Sequence, residues 1–133
     1  METKRRERIL IVEDDEEVAK VLKGRLEGEG YETHTEGTGK AALSYAADYR
    51  PDLVVLDVGL PGISGLEVAK RLRKIYLPWV VPILMLTGRD QPVDKLYGFA
   101  HGADSYLTKP YDPSELRQTV KLLLGELDLM ENR

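Results

Sequence analysis

Six residues carry the reactive chemistry of this sequence: an acidic run at Glu13, Asp14 and Asp15, a single acid at Asp57, a hydroxyl at Thr87 and an amine at Lys109. Each group closes a short strand-like run: "ILIV" leads to Glu13, "LVVL" to Asp57, "PILML" to Thr87 and "SYLT" to Lys109. Carboxylates about 4 Å apart repel by roughly 4 kcal/mol per pair at an effective dielectric near 20. Several gathered in one place therefore need a counter-charge, or one must stay protonated. A hard divalent cation solves this with oxygen ligands. Mg²⁺ typically combines one or two carboxylates with waters and a phosphate, and Mn²⁺ is the alternative ion. A lysine adds a second positive centre suited to a phosphoryl oxygen, and a threonine hydroxyl can donate to another. In that company Asp57 is a candidate nucleophile, because acyl phosphate formation on aspartate is established covalent chemistry.

These groups can act together only if the chain brings them to one place. Five short strands alternate with five amphipathic helical patterns. The strands are "RILIV", the more polar "YETHTE", "DLVVLD", "VPILMLT" and "DSYLT". "DEEVAKVLKGRLEGEG" carries Val18, Val21, Leu22 and Leu26 at helical spacing, and Asp15 stands where an acid serves as a cap. Thr38 caps "GKAALSYAADY", and Ser64 with Glu67 forms a capping box for "GLEVAKRLRK". Asp90 and Pro92 open a fourth helix, "VDKLYGFAHG", while Asp112, Pro113 and Glu115 open the fifth, "SELRQTVKLLLGEL". Continuously apolar strands alternating with helices predict an α/β fold, a doubly wound parallel sheet covered on both faces, with "YETHTE" at an edge. Such sheets hold functional groups in the crevice beyond the strands' carboxyl ends. All six reactive residues lie there.

Composition narrows the remaining options. At 133 residues the chain reads as one soluble domain able to bury a real core without staples. A net charge of −4 argues against a general nucleic-acid or membrane-surface binder. With no cysteine there is no disulfide, thiolate metal site or cysteine nucleophile. "KRRER" is followed only by "ILIV" before acids interrupt, so it does not read as a signal peptide, and the expected setting is cytoplasmic. His34 and His101 lack a second ligand at metal spacing and read as surface residues, and Trp79 reads as a packing anchor. Gly24 and Gly98 each weaken a helix slightly, for no evident functional reason.

The motifs "ILIVEDD", "PDLVVLDVGLPGISGLEV", "PILMLTG" and "GADSYLTKPYDPSEL" resemble a receiver domain of a two-component response regulator, of the CheY-like superfamily. The resemblance spans nearly the whole chain: a tail over residues 1–7, a receiver domain over 8–127, and a tail or linker start over 128–133. It implies strand order 2-1-3-4-5, with Asp57 as phospho-acceptor. By the same likeness Asp14 holds Mg²⁺ directly, Glu13 through water, and Gly59 through its backbone carbonyl. Thr87 matches the switch hydroxyl, Tyr106 the aromatic switch position, Lys109 the lysine that grips the phosphoryl group, and Lys109–Pro110 a cis peptide bond. Gly59 and Arg89 stand at positions that tune how long the phosphate lasts. Gly59 would leave water an open approach, whereas Arg89 either shields the phosphoryl group or points to solvent.

The implied partners are a sensor histidine kinase or histidine phosphotransfer protein as donor, and an output domain or protein on the face of the fourth helix, fifth strand and fifth helix. A phosphorylation-dependent homodimer also belongs to the expectation, without direct nucleic-acid or membrane binding. On this reading the domain is no enzyme beyond its own phosphorylation and dephosphorylation. Two alternatives keep the fold: a receiver used as an interaction module without phosphorylation, and an aspartyl-phosphate phosphohydrolase of the haloacid dehalogenase type. The second lacks its acid two residues past the nucleophile, where this chain has Gly59. A flavodoxin-like cofactor binder would meet "EDDEE" where it needs a phosphate-cradling loop, so charge excludes it.

Overall fold

Strand β1 (Arg8–Val12) lies between β2 (Glu32–Glu36) and β3 (Leu53–Asp57), and the sheet continues through β4 (Ile83–Thr87) to β5 (Ser105–Thr108). All neighbours pair in parallel, giving the order β2-β1-β3-β4-β5. The helices are α1 (Glu16–Gly28), α2 (Gly39–Tyr49), α3 (Gly65–Ile75) and α4 (Pro113–Leu123). The computed structural model describes residues 6–75, 81–88 and 102–126. Helix α4 is thus the fifth of the helices expected from sequence. Except for its last glycine, Gly102, the expected fourth, "VDKLYGFAHG", lies outside the described residues, as do Trp79, Arg89, Gly98 and His101.

Side-chain alternation along each strand divides the core in two. Leu10, Val12, Val54, Leu56, Ile83 and Met85 face one way, onto Ala42 and Ala46 of α2 and Val68, Ala69 and Leu72 of α3. Ile9, Ile11, Leu53, Val55, Leu84, Leu86 and Leu107 face the other way, onto Leu22 and Leu26 of α1 and Leu116 and Val120 of α4. Because β1, β3 and β4 are covered on both faces, they must be apolar between their ends. A chemically active group can then stand only at their ends.

The caps place the helices where local rules put them. Asp15 accepts from the backbone N–H of Glu17 and Val18 at 2.9 and 3.2 Å, which makes it the N-cap of α1. Thr38 caps α2 through the N–H of Ala41 at 3.2 Å. Ser64 accepts from the N–H of Glu67 at 3.2 Å, but the carboxylate of Glu67 accepts from Arg71 Nε at 3.1 Å. A charge-assisted partner one turn on is the stronger bond for that carboxylate.

At α4 the capping box is complete, with Pro113 in the first turn. Hydrogen bonds from the backbone and then the hydroxyl of Ser114 hold the Asp112 carboxyl below its ordinary range. A depressed folded-state value contributes stability above the unfolded value, and that contribution is lost as pH falls through the folded one. Asp112→Ala should therefore unfold at lower urea than the parent at neutral pH, with the gap narrowing in strong acid. A gap constant with pH would deny the carboxylate this role.

Edge strand β2 is half exposed. His34, on this strand, meets Glu36 Oε2 at 2.7 Å, and its ring stacks on Tyr45 of α2 with centroids 3.8 Å apart. Tyr45 stacks in turn on Tyr49. His34 is thus half exposed but partnered, through a contact between elements that spacing does not display.

Candidate functional site

From β1 through β3 to β4 each strand ends one residue further on in register, β5 ends level with β4, and this staircase builds the site. Val12 is level with Leu56, so Glu13 follows β1 at the height of Asp57. Asp57 is level with Leu86, so Thr87 stands one step further on. Thr87 is level with Thr108, so Lys109 takes the last step. The sheet thereby brings residues from four strand ends to one crevice.

Glu13, Asp57 and Thr87 are the buried polar side chains among the described residues, at 5, 7 and 6% exposure. Carboxylate oxygens of Glu13, Asp14 and Asp57 all lie within 4.8 Å of one another. Asp14 is exposed at the mouth, and Asp15 is spent on the cap of α1. Lys109 Nζ donates to Glu13 Oε1 at 3.3 Å, while Glu13 Oε2 accepts from the N–H of Asp15 at 3.1 Å. Burial pushes the Glu13 carboxyl above its usual range, and the charge of Asp57 adds to that. The Asp15 N–H and the Lys109 ammonium oppose the rise.

Asp57 Oδ1 accepts from the backbone N–H of Gly59 at 3.0 Å, which turns Gly59 over the carboxylate. Gly59 is exposed and gives the turn no side chain. Just beyond, Gly65 opens α3 by packing against the strand end, with its N–H donated to Val58 O at 3.1 Å. A Cβ at Gly65 would sit 2.3 Å from the Asp57 carbonyl oxygen, so only glycine allows α3 to start so near the end of β3.

On the other side, the Lys109 N–H donates to Thr87 O at 2.6 Å, and the Lys109–Pro110 peptide bond is cis. Thr87 Oγ1 donates to Thr108 Oγ1 at 3.5 Å. Tyr106, level with Met85, is half buried against the core cluster shared with α2 and α3. Thr108 is the neighbour that sequence reasoning missed; it becomes visible only through the β4–β5 register. Arg89 lies outside the described residues.

Three close carboxylates, two of them buried, fit a small hard cation and fit an anion poorly. An ammonium paired to one of those carboxylates is near enough to meet an anionic group bound beside them.

The chain matches the response regulator receiver domain family over residues 9–121. It is 45% identical over 122 residues to the alkaline phosphatase synthesis transcriptional regulatory protein PhoP of Bacillus subtilis, covering 92% of this chain and 50% of that one. It is 43% identical over 123 residues to the DNA-binding response regulator MtrA of Mycobacterium tuberculosis, covering 92% of this chain and 53% of that one. The chain spans about half the length of these curated relatives. Among solved structures it resembles the receiver domain of the sensor histidine kinase PA1611 of Pseudomonas aeruginosa, with TM-score 0.82 and 27% identity over 91% of this chain and 99% of that one. That structure has a magnesium ion coordinated in its active site cleft. No helix among the described residues is long and apolar enough to cross a membrane.

Proposed function

The chain belongs to the response regulator receiver domain family, whose work is phosphorelay signal transduction, and on that premise we propose that Asp57 is its phospho-acceptor. The observation that carries this is the setting of Asp57. A buried carboxylate ends a strand without another polar side chain, within 4.8 Å of the oxygens of Glu13 and Asp14.

Glu13, Asp14 and Asp57, with the backbone carbonyl of Gly59, would hold Mg²⁺; Mn²⁺ suits the same oxygens. The bound ion supplies positive charge to the phosphoryl oxygens. Asp57 attacks phosphorus in line: a carboxylate O–P bond forms as the donor's P–N bond breaks, and the nitrogen leaves with its electron pair. Lys109 and Thr87 neutralise charge building on the equatorial oxygens. Water later attacks the phosphorus, which releases inorganic phosphate and restores the carboxylate, and Gly59 leaves that approach open. Arg89 is the second lifetime position.

The donor is a sensor histidine kinase or a histidine phosphotransfer protein, and no separate substrate is turned over. A phosphoryl group biases the fold only through contacts that differ between two states. Thr87 moving toward it, with Tyr106 turning into the vacated space, is such a difference. The readout is an output domain or protein, or a second copy of the receiver, on the face of the expected fourth helix, β5 and α4. A cytoplasmic setting suits these partners.

Incubation with Mg²⁺ and acetyl phosphate should add one phosphoryl group by intact mass. The adduct should be stable in acid and labile in base, and excess chelator should suppress it. No adduct under these conditions would leave the chain a receiver used as an interaction module.

A further inference from the structure

The geometry points to Arg73 as a positioning residue that holds β5 in register and, through it, Lys109 at the crevice. Arg73 stands in the last turn of α3, at the opposite end of the sheet from Asp57. Its guanidinium reaches three places. Nε and Nη2 donate to Gly102 O at 3.0 and 2.7 Å, Nη1 donates to Val81 O, and Nη2 donates to the Asp104 carboxylate. The same Asp104 oxygen accepts from the backbone N–H of Ile83 at 2.8 Å, and the Asp104 N–H donates to Ile83 O at 2.9 Å. One planar fork thus ties the last turn of α3 to the starts of both β4 and β5.

Strand β5 needs such a tie. It has four residues, lies at the sheet edge and, among the described strands, pairs with β4 alone. A one-residue slip would turn every side chain of β5 to the opposite face. Tyr106 would leave the core cluster, and Lys109 would leave Glu13. Arg73 and Asp104 fix the strand at the residue just before its start, five positions before Lys109. Gly102 is fitted to the same clamp: its φ is +108°, and a Cβ there would lie 2.6 Å from Arg73 Cγ. Lysine does not reproduce the fork, since its three donors radiate from a single nitrogen whereas Arg73 spreads its donors over Nε, Nη1 and Nη2. None of these residues touches Glu13, Asp14 or Asp57, so the clamp acts on the lysine side of the site alone.

The part of the inference that concerns phosphoryl transfer rests on the function proposed above, so the test has an arm that does not. In Arg73→Lys and Asp104→Asn, hydrogen exchange of the Tyr106–Lys109 amides should quicken by about tenfold or more, while β1 and β3 stay protected. Mg²⁺ affinity by calorimetry should not fall, and should rise as far as Lys109 is freed from Glu13, while phosphorylation by acetyl phosphate should slow between about 10- and 100-fold, the range for a small misplacement. In a Lys109→Met background the same substitutions should change the rate by less than about twofold, because they act through Lys109. Unchanged β5 exchange would overturn the proposal, as would an equal rate loss in the Lys109→Met background. A parent protein that takes no phosphate would instead sink the proposed function, leaving the exchange arm to decide the clamp.

Discussion

Asp57→Asn is expected to take up no phosphoryl group from acetyl phosphate while remaining fully folded. The amide oxygen can still accept from the Gly59 N–H, so the turn after β3 keeps its hydrogen bond. What disappears is the proposed nucleophile and one of three crowded carboxylates. Asp57 adds to the pressure that lifts the Glu13 carboxyl, after the larger effect of burial, so its removal should let Glu13 titrate closer to its ordinary range. Repulsion at this distance is worth up to roughly 4 kcal/mol per pair before relaxation, so a metal-free gain of about 1 kcal/mol in stability is a modest expectation. Mg²⁺ affinity should fall by more than about tenfold, since a charged ligand has gone. Mass spectrometry, metal-free thermal unfolding and calorimetry read the three effects. A phosphoryl adduct that survives Asp57→Asn would put the acceptor elsewhere.

Lys109→Met should move two properties in opposite directions. Phosphorylation should slow by about 100-fold, the usual loss when a group that stabilises transition-state charge is removed. Mg²⁺ binding should tighten, because Lys109 and the metal compete for Glu13 in the resting protein. The Glu13 side chain is only 3% exposed, and removing the ammonium leaves a buried carboxylate without its cation. That carboxylate then protonates more readily, and the metal-free fold should lose roughly 1–2 kcal/mol, below the cost of breaking a fully buried pair because Lys109 is itself partly solvated. Weaker rather than tighter Mg²⁺ binding in Lys109→Met would show that the ion pair does not compete with the metal.

Much of the site was legible because strand ends are legible. An apolar run such as "LVVL" that stops on an acid defines both a buried strand and its carboxyl end, and the doubly wound pattern then sends every such end to one crevice. Asp15 as a cap, and Asp112 with Glu115 as a capping box, follow from contacts within three residues. Such short-range geometry is nearly independent of the rest of the fold. Glu67 marks the limit of that independence, since a stronger partner on its own helix took the carboxylate that the local pattern assigned to the cap.

What the sequence by itself determined was therefore the described elements, their order of type, and the polar residues at the strand ends. Periodicity and capping act over a few neighbours, and each choice is settled locally. Only the tertiary structure decided who meets whom: Lys109 with Glu13 across 96 positions, Arg73 with Gly102 across 29, His34 on Tyr45, and Gly65 against the Asp57 backbone. Those pairings depend on strand order and on a register in which a single step exchanges one face for the other. No local rule carries that information, because it comes into being when the sheet closes around its two cores.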